Sequence, residues 1–296
     1  MYKIGVDIGG MSAKIGLCHR EKIIAETRIA TGAEIEFSFL AEKIAEAISA
    51  VAAPEEYDFI GIASCGLIDS AKGAVAYANN IAWKNAPLAA VLSSLTKKNV
   101  KIANDARCAA LCEGVYGVGK NARLCLFTLG TGVGGGFTDR GKLQSGSVFA
   151  DASDIFGHVT VEKNGRQCTC GRKGCLEAYA SATALMKENE RRGGGTLTAK
   201  EIFDLARAGK SMQKSVVEEF VDYLAEGIAN TVNVLRPEVV AIGGGLSGSA
   251  DLYLDDLRKK TNERIYGGEY LPVRIERAAF GNDAGIVGAT LLENGI

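Results

Sequence analysis

The feature that most constrains the fold is a glycine-rich turn between two apolar segments. An apolar run over residues 124–129 predicts a buried strand, and an extended pattern resumes at Phe137. Between them, five of the seven residues from Gly130 to Gly136 are glycines. Glycine has no Cβ and tolerates positive φ, so such a turn lets backbone N–H groups approach a ligand closely. With the hydroxyl of Thr131 added, the turn predicts a phosphate site.

Other glycine-rich motifs fit this turn less well. The spacing Gly130-x-Gly132-x-x-Gly135 matches the dinucleotide fingerprint, but that fingerprint requires the turn to open a helix, and no helical pattern follows. The glycine loop of protein kinases requires further motifs that this sequence lacks. A hairpin without a ligand stays open for this turn taken alone. A second glycine turn near the N-terminus argues against it.

The second turn belongs to a repeat. Each copy runs strand, glycine turn, strand, turn, strand, and the predicted strands are 2–7, 13–18 and 22–29 in the first copy and 123–129, 133–138 and 142–144 in the second. Amphipathic helical patterns alternate with strands elsewhere, at about 36–52, 212–235, 250–264 and 284–293. The chain is therefore predicted to be α/β, with two related domains that face each other across a cleft. We place them at 1–117, joined by the C-terminal helix 284–296, and at 118–283.

Net charge, apolar runs and cysteine distribution exclude several classes of protein. The 296 residues have a formal net charge of −1, which gives no electrostatic footprint for nucleic acid. No apolar run approaches ~18 residues and no basic-then-apolar leader begins the chain, so neither a membrane span nor a secretory signal is expected. Five of the eight cysteines stand in apolar strand or helix contexts, and three cluster. This distribution predicts a cytoplasmic protein with one metal site.

The clustered cysteines and one histidine have the spacing of zinc ligands. His158 precedes Cys168, Cys170 and Cys175, and these four residues supply a Cys₃His set. Four protein ligands close the coordination shell, so the predicted zinc is structural. Uncoordinated thiols are the alternative.

Two acidic positions suggest phosphoryl transfer. Asp7 ends the first strand, where it could orient Mg²⁺ beside a γ-phosphate held by the turn and Ser12, or simply form the turn. Asn104-Asp105 follows a strand and opens a helix. Both residue types are preferred helix caps, but if Asn104 caps the helix, Asp105 is left to accept a proton from a substrate hydroxyl.

Glu177 could accept hydrogen bonds from a polyol or interact with a helix dipole.

With these motifs the sequence closely resembles the ROK family of sugar kinases, which includes bacterial glucokinases and belongs to the actin-like (ribonuclease H-like) ATPase superfamily. The matching stretches span nearly the whole chain in the expected order. They are Asp7-Ile-Gly-Gly, Asn80-Ile-Ala-Trp83, Asn104-Asp105, Leu129-Gly-Thr-Gly-Val-Gly-Gly-Gly136, Gly157-His158, Cys168-x-Cys-Gly-x-x-Gly-Cys-Leu-Glu177, Gly243-Gly-Gly245 and Gly281-Asn-Asp-Ala-Gly-x-x-Gly-Ala289.

The resemblance implies an ATP-dependent sugar kinase with Mg²⁺ and structural Zn²⁺, in which Asp105 is the catalytic base. It also implies a homodimer or homotetramer. The implied sugar-binding residues are Gly66, Asn80, Asn104, Asp105, Asp154, His158 and Glu177. The implied ATP-binding residues are Asp7, Gly9, Gly10, Met11, Ser12, Lys14, Gly130, Thr131, Gly132, Gly134, Gly244 and Gly245, and the zinc ligands are His158, Cys168, Cys170 and Cys175.

Three positions depart from the family pattern. Met11 replaces the usual Thr, leaving Ser12 or backbone donors to substitute, and Cys65 replaces the usual Pro. The family's sugar-binding Glu falls on Ile155, so either a one-residue bulge lets Asp154 replace it or that contact is missing. We expect a kinase acting on the 6-hydroxyl of a hexose, most simply glucose. The alternatives are a kinase of N-acetylmannosamine or another N-acetylhexosamine, and a non-catalytic sugar-binding or regulatory protein.

Overall fold

The computed structural model describes residues 1–78, 81–144 and 155–295. The chain divides into two compact units. The first contains the described parts of 1–121, 136–154 and 282–296, and the second contains 122–135 and 155–281. The domain boundaries proposed from the sequence stay a prediction.

The described chain contains runs of consecutive strands and a run of consecutive helices between residues 177 and 235. The strands are β1 Tyr2–Ile8, β2 Ser12–His19, β3 Lys22–Ala30, β4 Tyr57–Ser64, β5 Leu67–Asp69, β6 Ala74–Tyr77, β7 Lys84–Ala86, β8 Asn99–Asn104, β9 Arg123–Leu129, β10 Val133–Asp139, β11 Lys142–Leu143, β12 Val239–Gly243 and β13 Arg274–Arg277. The helices are α1 Phe37–Val51, α2 Leu88–Thr96, α3 Asp105–Val115, α4 Glu177–Ala180, α5 Ala182–Arg191, α6 Ala199–Arg207, α7 Ser211–Leu235, α8 Leu254–Arg264, α9 Ala284–Thr290 and α10 Leu292–Gly295.

The repeat predicted from the sequence is present in the sheets. One five-stranded sheet has the order β3-β2-β1-β4-β8, and the other has the matching order β11-β10-β9-β12-β13. In the first sheet β1, β4 and β8 are parallel, while β2 and β3 are antiparallel to their neighbours. In the second, β12 is parallel to both β9 and β13. The described residues also form a small sheet of β5, β6 and β7, which the sequence patterns did not predict.

Two helix predictions were wrong in detail. The helix expected over 250–264 begins only at Leu254, because a 3₁₀ segment occupies Gly245–Leu252. The helix expected over 284–293 is two short helices, α9 and α10, that are interrupted at Leu291.

The first sheet has a different helical layer on each face. Buried Ile4, Val6 and Ile8 of β1 belong to the core that includes α1 and α2. On the opposite face, α9 lies directly on glycines of β1 and β4. A Cβ on Gly5 would come 2.2 Å from the carbonyl oxygen of Ile286, and one on Gly61 would come 1.8 Å from that of Ala289. These backbone contacts place the start of α9 beside the next residue on that face of β1, Asp7.

Candidate active site

Asp7 and Asp105 lie at the same edge of the first sheet. Asp7 stands near the carboxyl end of β1, and Asp105 follows the end of β8. Because β1, β4 and β8 are parallel, their carboxyl ends share one edge. The charge of Asp105 acts on Asp7, which places the two carboxyl groups within electrostatic reach of each other. The structure therefore brings together the two acidic residues that the sequence selected.

Asp7 occupies a crowded, half-buried position. The start of α9 lies against it, since a Cβ on Gly285 would come 2.6 Å from Asp7 Oδ2. Burial raises the pKa of Asp7 to about 7, the charge of Asp105 contributes to this increase, and the ammonium group of Lys14 opposes it. Lys14 is directly opposite Asp7 in the β1–β2 pair.

Lys14 is bound by acidic side chains rather than pointing freely towards a ligand. Its Nζ lies 2.5 Å from Asp283 Oδ1 and 3.1 Å from Glu26 Oε2. The sequence could not indicate the Asp283 partner, which is 269 positions away. The ion pair with Asp283 joins β2 to the start of α9, and both of these segments lie beside Asp7. In this structure Lys14 therefore connects two backbone segments next to Asp7.

Asn104 caps α3, and this arrangement leaves the Asp105 side chain at the strand end. Asn104 Oδ1 accepts hydrogen bonds from the N–H groups of Ala106 and Arg107, and its Nδ2 donates to the carbonyl oxygen of Gly66 at 3.0 Å. Asp105 Oδ1 also accepts from the Ala106 N–H. Burial raises the pKa of the Asp105 carboxyl group above its usual range, against the opposing effect of these hydrogen bonds. Gly66 has a φ of +101°, a conformation suited to glycine.

The first glycine turn is held from outside its hairpin. The Gly9 N–H donates to the Ser12 carbonyl oxygen at 3.0 Å. Thr31 donates its hydroxyl to the Gly9 carbonyl oxygen at 2.8 Å and its N–H to the Met11 carbonyl oxygen at 3.1 Å. The Met11 side chain is 88% exposed and contributes little packing. Thr31 was missed by sequence reasoning, because nothing local marks a residue 22 positions after Gly9 as its partner.

The second glycine turn is fixed by hydrogen bonds in a similar way. The Gly130 N–H donates to the Gly132 carbonyl oxygen at 3.0 Å, and the Ala182 N–H donates to the Gly130 carbonyl oxygen at 2.8 Å. The Thr183 hydroxyl donates to the Thr131 carbonyl oxygen at 2.8 Å. The carbonyl groups of this turn are thus also bound from beyond the hairpin.

Both turns leave donors at equivalent positions. Among the residues that the structure describes, the N–H groups of Gly10 and Met11 in the first turn have no protein acceptor. The same holds, within those described residues, for Thr131 and Gly132 in the second turn. Each pair occupies the second and third positions after its strand. Adjacent N–H groups in a turn can bind an anion, so each unit offers a phosphate-sized cradle.

Gly244 brings a further segment to the second turn. It has a φ of +76°, and a Cβ there would come 2.5 Å from the carbonyl oxygen of Leu129, the residue before the turn. The Ser247 hydroxyl donates to the Gly244 carbonyl oxygen at 2.7 Å. Gly245 begins the 3₁₀ segment beside it, and Gly134 lies in β10 just beyond the turn. These glycines of the sequence prediction therefore lie in one region of the second unit.

The four predicted zinc ligands converge in the second unit. The ligand atoms of His158, Cys168, Cys170 and Cys175 all lie within 4.8 Å of one another. His158 Nδ1 is 3.6 Å from Cys168 Sγ, and the sulfurs of Cys170 and Cys175 are 3.7 Å apart. Zinc held by thiolates at ~2.3 Å in a tetrahedron requires sulfurs about 3.8 Å apart. The spacing and the donor set fit a closed zinc site.

Glu177 is bound by two separate segments. Its Oε2 accepts the Val133 N–H at 3.1 Å, and its Oε1 accepts the Thr169 hydroxyl at 2.8 Å. The sequence indicated Glu177 but not these partners. Two other predicted sugar-binding residues, Asn80 and Asp154, lie outside the described residues.

The comparisons with known proteins agree with this geometry. The family model described as ROK family matches residues 3–295. The chain belongs to the ROK family. It is 35% identical to a glucokinase of Thermotoga maritima, over 97% of this chain and 95% of that protein.

Two solved ROK structures have the same fold. One is a ROK family glucokinase of Streptomyces griseus in complex with glucose and AMPPNP, with a TM-score of 0.84 at 30% identity and 99% of each chain covered. The other is a ROK hexokinase of Thermus thermophilus, with a TM-score of 0.83 at 28% identity, covering 98% of this chain and 97% of that one. This ROK protein therefore has two α/β domains of the actin-like ATPase fold, as the sequence predicted. Within the described parts of the chain, none of its helices combines the length and apolar character needed to cross a bilayer.

Proposed function

We propose that this ROK protein is an ATP-dependent glucokinase, which transfers the γ-phosphoryl group of ATP to the 6-hydroxyl of glucose. The observation that carries the proposal is the 35% identity to a glucokinase over 97% of this chain and 95% of that protein. The site geometry is consistent with it, because phosphoryl transfer needs a positioned base, phosphate donors and charge neutralisation.

Asp105 is the proposed catalytic base. The cap on α3 is provided by Asn104, so the Asp105 carboxylate can accept the proton of the sugar hydroxyl. Its pKa is raised by burial, which increases the basicity of the carboxylate and thus favours proton transfer.

The phosphate groups of ATP are proposed to bind the two turns. In the first turn the proposed donors are the N–H groups of Gly10 and Met11. Gly9 and Ser12 form the turn around these donors, and Lys14 lies in the strand that follows. In the second turn the donors are the N–H groups of Thr131 and Gly132, with Gly130 and Gly134 shaping the loop and Gly244 and Gly245 near the nucleoside. Asp7 is the residue suited to hold hydrated Mg²⁺, which would neutralise developing phosphate charge.

The zinc and sugar sites share His158. We propose that Zn²⁺ is bound by His158, Cys168, Cys170 and Cys175 and stabilises the loop, with no part in proton transfer. If the metal takes His158 Nδ1, the proton resides on Nε2, which can then donate to a sugar hydroxyl. Glu177, Asn104, Gly66 and the undescribed Asn80 and Asp154 are the other proposed sugar contacts. A cytoplasmic homodimer or homotetramer is the proposed assembly.

The test of this function is an assay of ADP formation with Asp105→Asn. We expect kcat to fall by about 10²–10⁴, the usual contribution of such a base, while the KM values for ATP and glucose stay near those of the parent protein. A variant with near-normal kcat would exclude Asp105 as the base.

The same assay on the parent protein distinguishes the alternatives. Glucose should give the highest kcat/KM in a panel with mannose, N-acetylglucosamine, N-acetylgalactosamine and N-acetylmannosamine. A preference for an N-acetylated sugar would replace the glucose assignment, and no ADP with any sugar would indicate a non-catalytic relative.

A further inference from the structure

A single carboxylate connects the Cys₃His loop with the second glycine turn. Thr169 stands between the ligands Cys168 and Cys170, and its hydroxyl donates to Glu177 Oε1 at 2.8 Å. The other oxygen, Oε2, accepts the Val133 N–H at 3.1 Å. These two hydrogen bonds form a continuous path from the metal loop to the backbone of the turn, and we call it the Thr169–Glu177–Val133 link.

The backbone of Val133 is constrained at both its N–H and its carbonyl group. Its N–H is bound by Glu177, and its carbonyl oxygen is covered by Gly157, where a Cβ would come 2.0 Å from that oxygen. Gly157 directly precedes the zinc ligand His158. Gly132 also lies against the carboxylate, since a Cβ there would come 2.4 Å from Glu177 Oε2. Both constraints on the Val133 backbone therefore come from residues next to, or hydrogen-bonded to, the metal loop.

The link should depend on the metal. Thr169 is exposed, so packing does little to fix its position. A bound zinc ion would hold the residues on either side of it, Cys168 and Cys170, and would thereby fix the direction of its hydroxyl. The loop has other internal hydrogen bonds, such as the one from Arg172 to the Thr160 hydroxyl at 2.9 Å. Cys168 Sγ also lies 3.8 Å from Glu177 Oε1, but as a zinc-bound thiolate it would have no proton to donate, which leaves the Thr169 hydroxyl as the hydrogen-bond donor.

We infer that Thr169 and Glu177 are positioning residues through which the Cys₃His loop fixes the 130–133 turn for nucleotide binding. The inference rests on the proposed function, because it assigns the phosphate cradle to the N–H groups of Thr131 and Gly132. It adds a role for the metal loop beyond sugar binding and fold stability. It also gives Glu177 a function towards the nucleotide.

The test compares Thr169→Val with two matched variants. Thr169→Ser keeps the hydroxyl, and Thr160→Val removes a hydroxyl from the same loop without touching the link. We expect Thr169→Val to raise the KM for ATP about fivefold, as for the loss of one ordinary hydrogen bond, with the KM for glucose changed less and zinc content unchanged. Thr169→Ser and Thr160→Val should match the parent protein. A Thr169→Val variant that raises only the KM for the sugar would overturn the inference.

Amide hydrogen exchange tests the link without any assay of function. In the zinc-loaded protein free of nucleotide, we expect the Val133 amide to exchange about fivefold faster in Thr169→Val than in the parent protein. Removal of zinc with a chelator should accelerate exchange at Val133 in the parent protein and have less effect in Thr169→Val. Equal Val133 exchange in parent and variant would overturn the link. If exchange changes as expected but ATP does not bind, the link stands and the proposed function fails.

Discussion

Replacing Asp7 with Asn should stabilise the folded protein above neutral pH. Asp7 has a pKa raised from 3.8 to about 7, mainly because burial disfavours its charge and further because Asp105 lies nearby. Between these two values the native state holds a proton that the unfolded chain has released. The contribution of Asp7 to the free energy of unfolding therefore falls as pH rises from about 4 to about 7, and it stays at the lower value above that.

The size of the effect follows from the difference of about three pKa units. At about 1.36 kcal/mol for each unit, ionised Asp7 costs up to about 4 kcal/mol of stability above pH 7. Asparagine has nearly the same shape and no charge, so Asp7→Asn should recover most of this free energy at pH 8 and less than about 1 kcal/mol near pH 4. The same change should suppress turnover, since it removes the proposed contact to hydrated Mg²⁺.

The assay is urea unfolding of the zinc-loaded protein without Mg²⁺ or nucleotide, at several pH values from 4 to 8.5. Subtracting the parent curve from the Asp7→Asn curve cancels the contributions of most other titrating groups, and Asp105 and Lys14 are the charged residues that act on Asp7 directly. Asp58→Asn, at an exposed position of β4, is the matched control. A stability difference that does not change with pH would refute the reasoning.

Two further predictions concern packing and the metal loop. Gly61→Ala should lower the free energy of unfolding by about 3 kcal/mol or more, because the new Cβ would lie 1.8 Å from the Ala289 carbonyl oxygen. Gly32→Ala, where a Cβ meets open space, is the control and should be nearly neutral in thermal unfolding. Equal effects of the two substitutions would contradict the close packing of α9. Cys175→Ser should abolish stoichiometric zinc binding, measured by atomic absorption, and should lower Tm. Cys65→Ser is the control and should leave the zinc content unchanged. Full zinc retention in Cys175→Ser would contradict the Cys₃His assignment.

The parts of the site that the sequence predicted are those formed by residues close together in the chain. The Cys₃His set lies within one short stretch, so its spacing alone indicated a cluster. The order of strands and turns in each copy of the repeat also follows the chain directly, and both copies form the expected sheets. The sequence left open which of the two adjacent cap-forming residues caps α3, and the structure assigns the cap to Asn104.

The parts that the sequence did not predict depend on contacts between distant residues. Lys14 binds Asp283, Thr31 binds Gly9, and Glu177 binds Val133. No periodic pattern encodes such pairs, because each is decided by how sheets and helices meet. Likewise β5, β6 and β7, at three or four residues each, are too short for an alternating pattern to be distinguished from a loop.

The departure at Met11 can be understood from how the first turn is held. Thr31 binds the carbonyl groups of Gly9 and Met11, so the turn does not depend on the side chain at position 11, which is 88% exposed. The second turn is organised by the same principle, with Ala182 and Thr183 in the place of Thr31. In both turns the protein binds carbonyl oxygens and leaves two neighbouring N–H groups for a ligand. Since those donors belong to the backbone, replacing the usual Thr with Met removes one hydroxyl and keeps the two amide donors that we propose for phosphate binding.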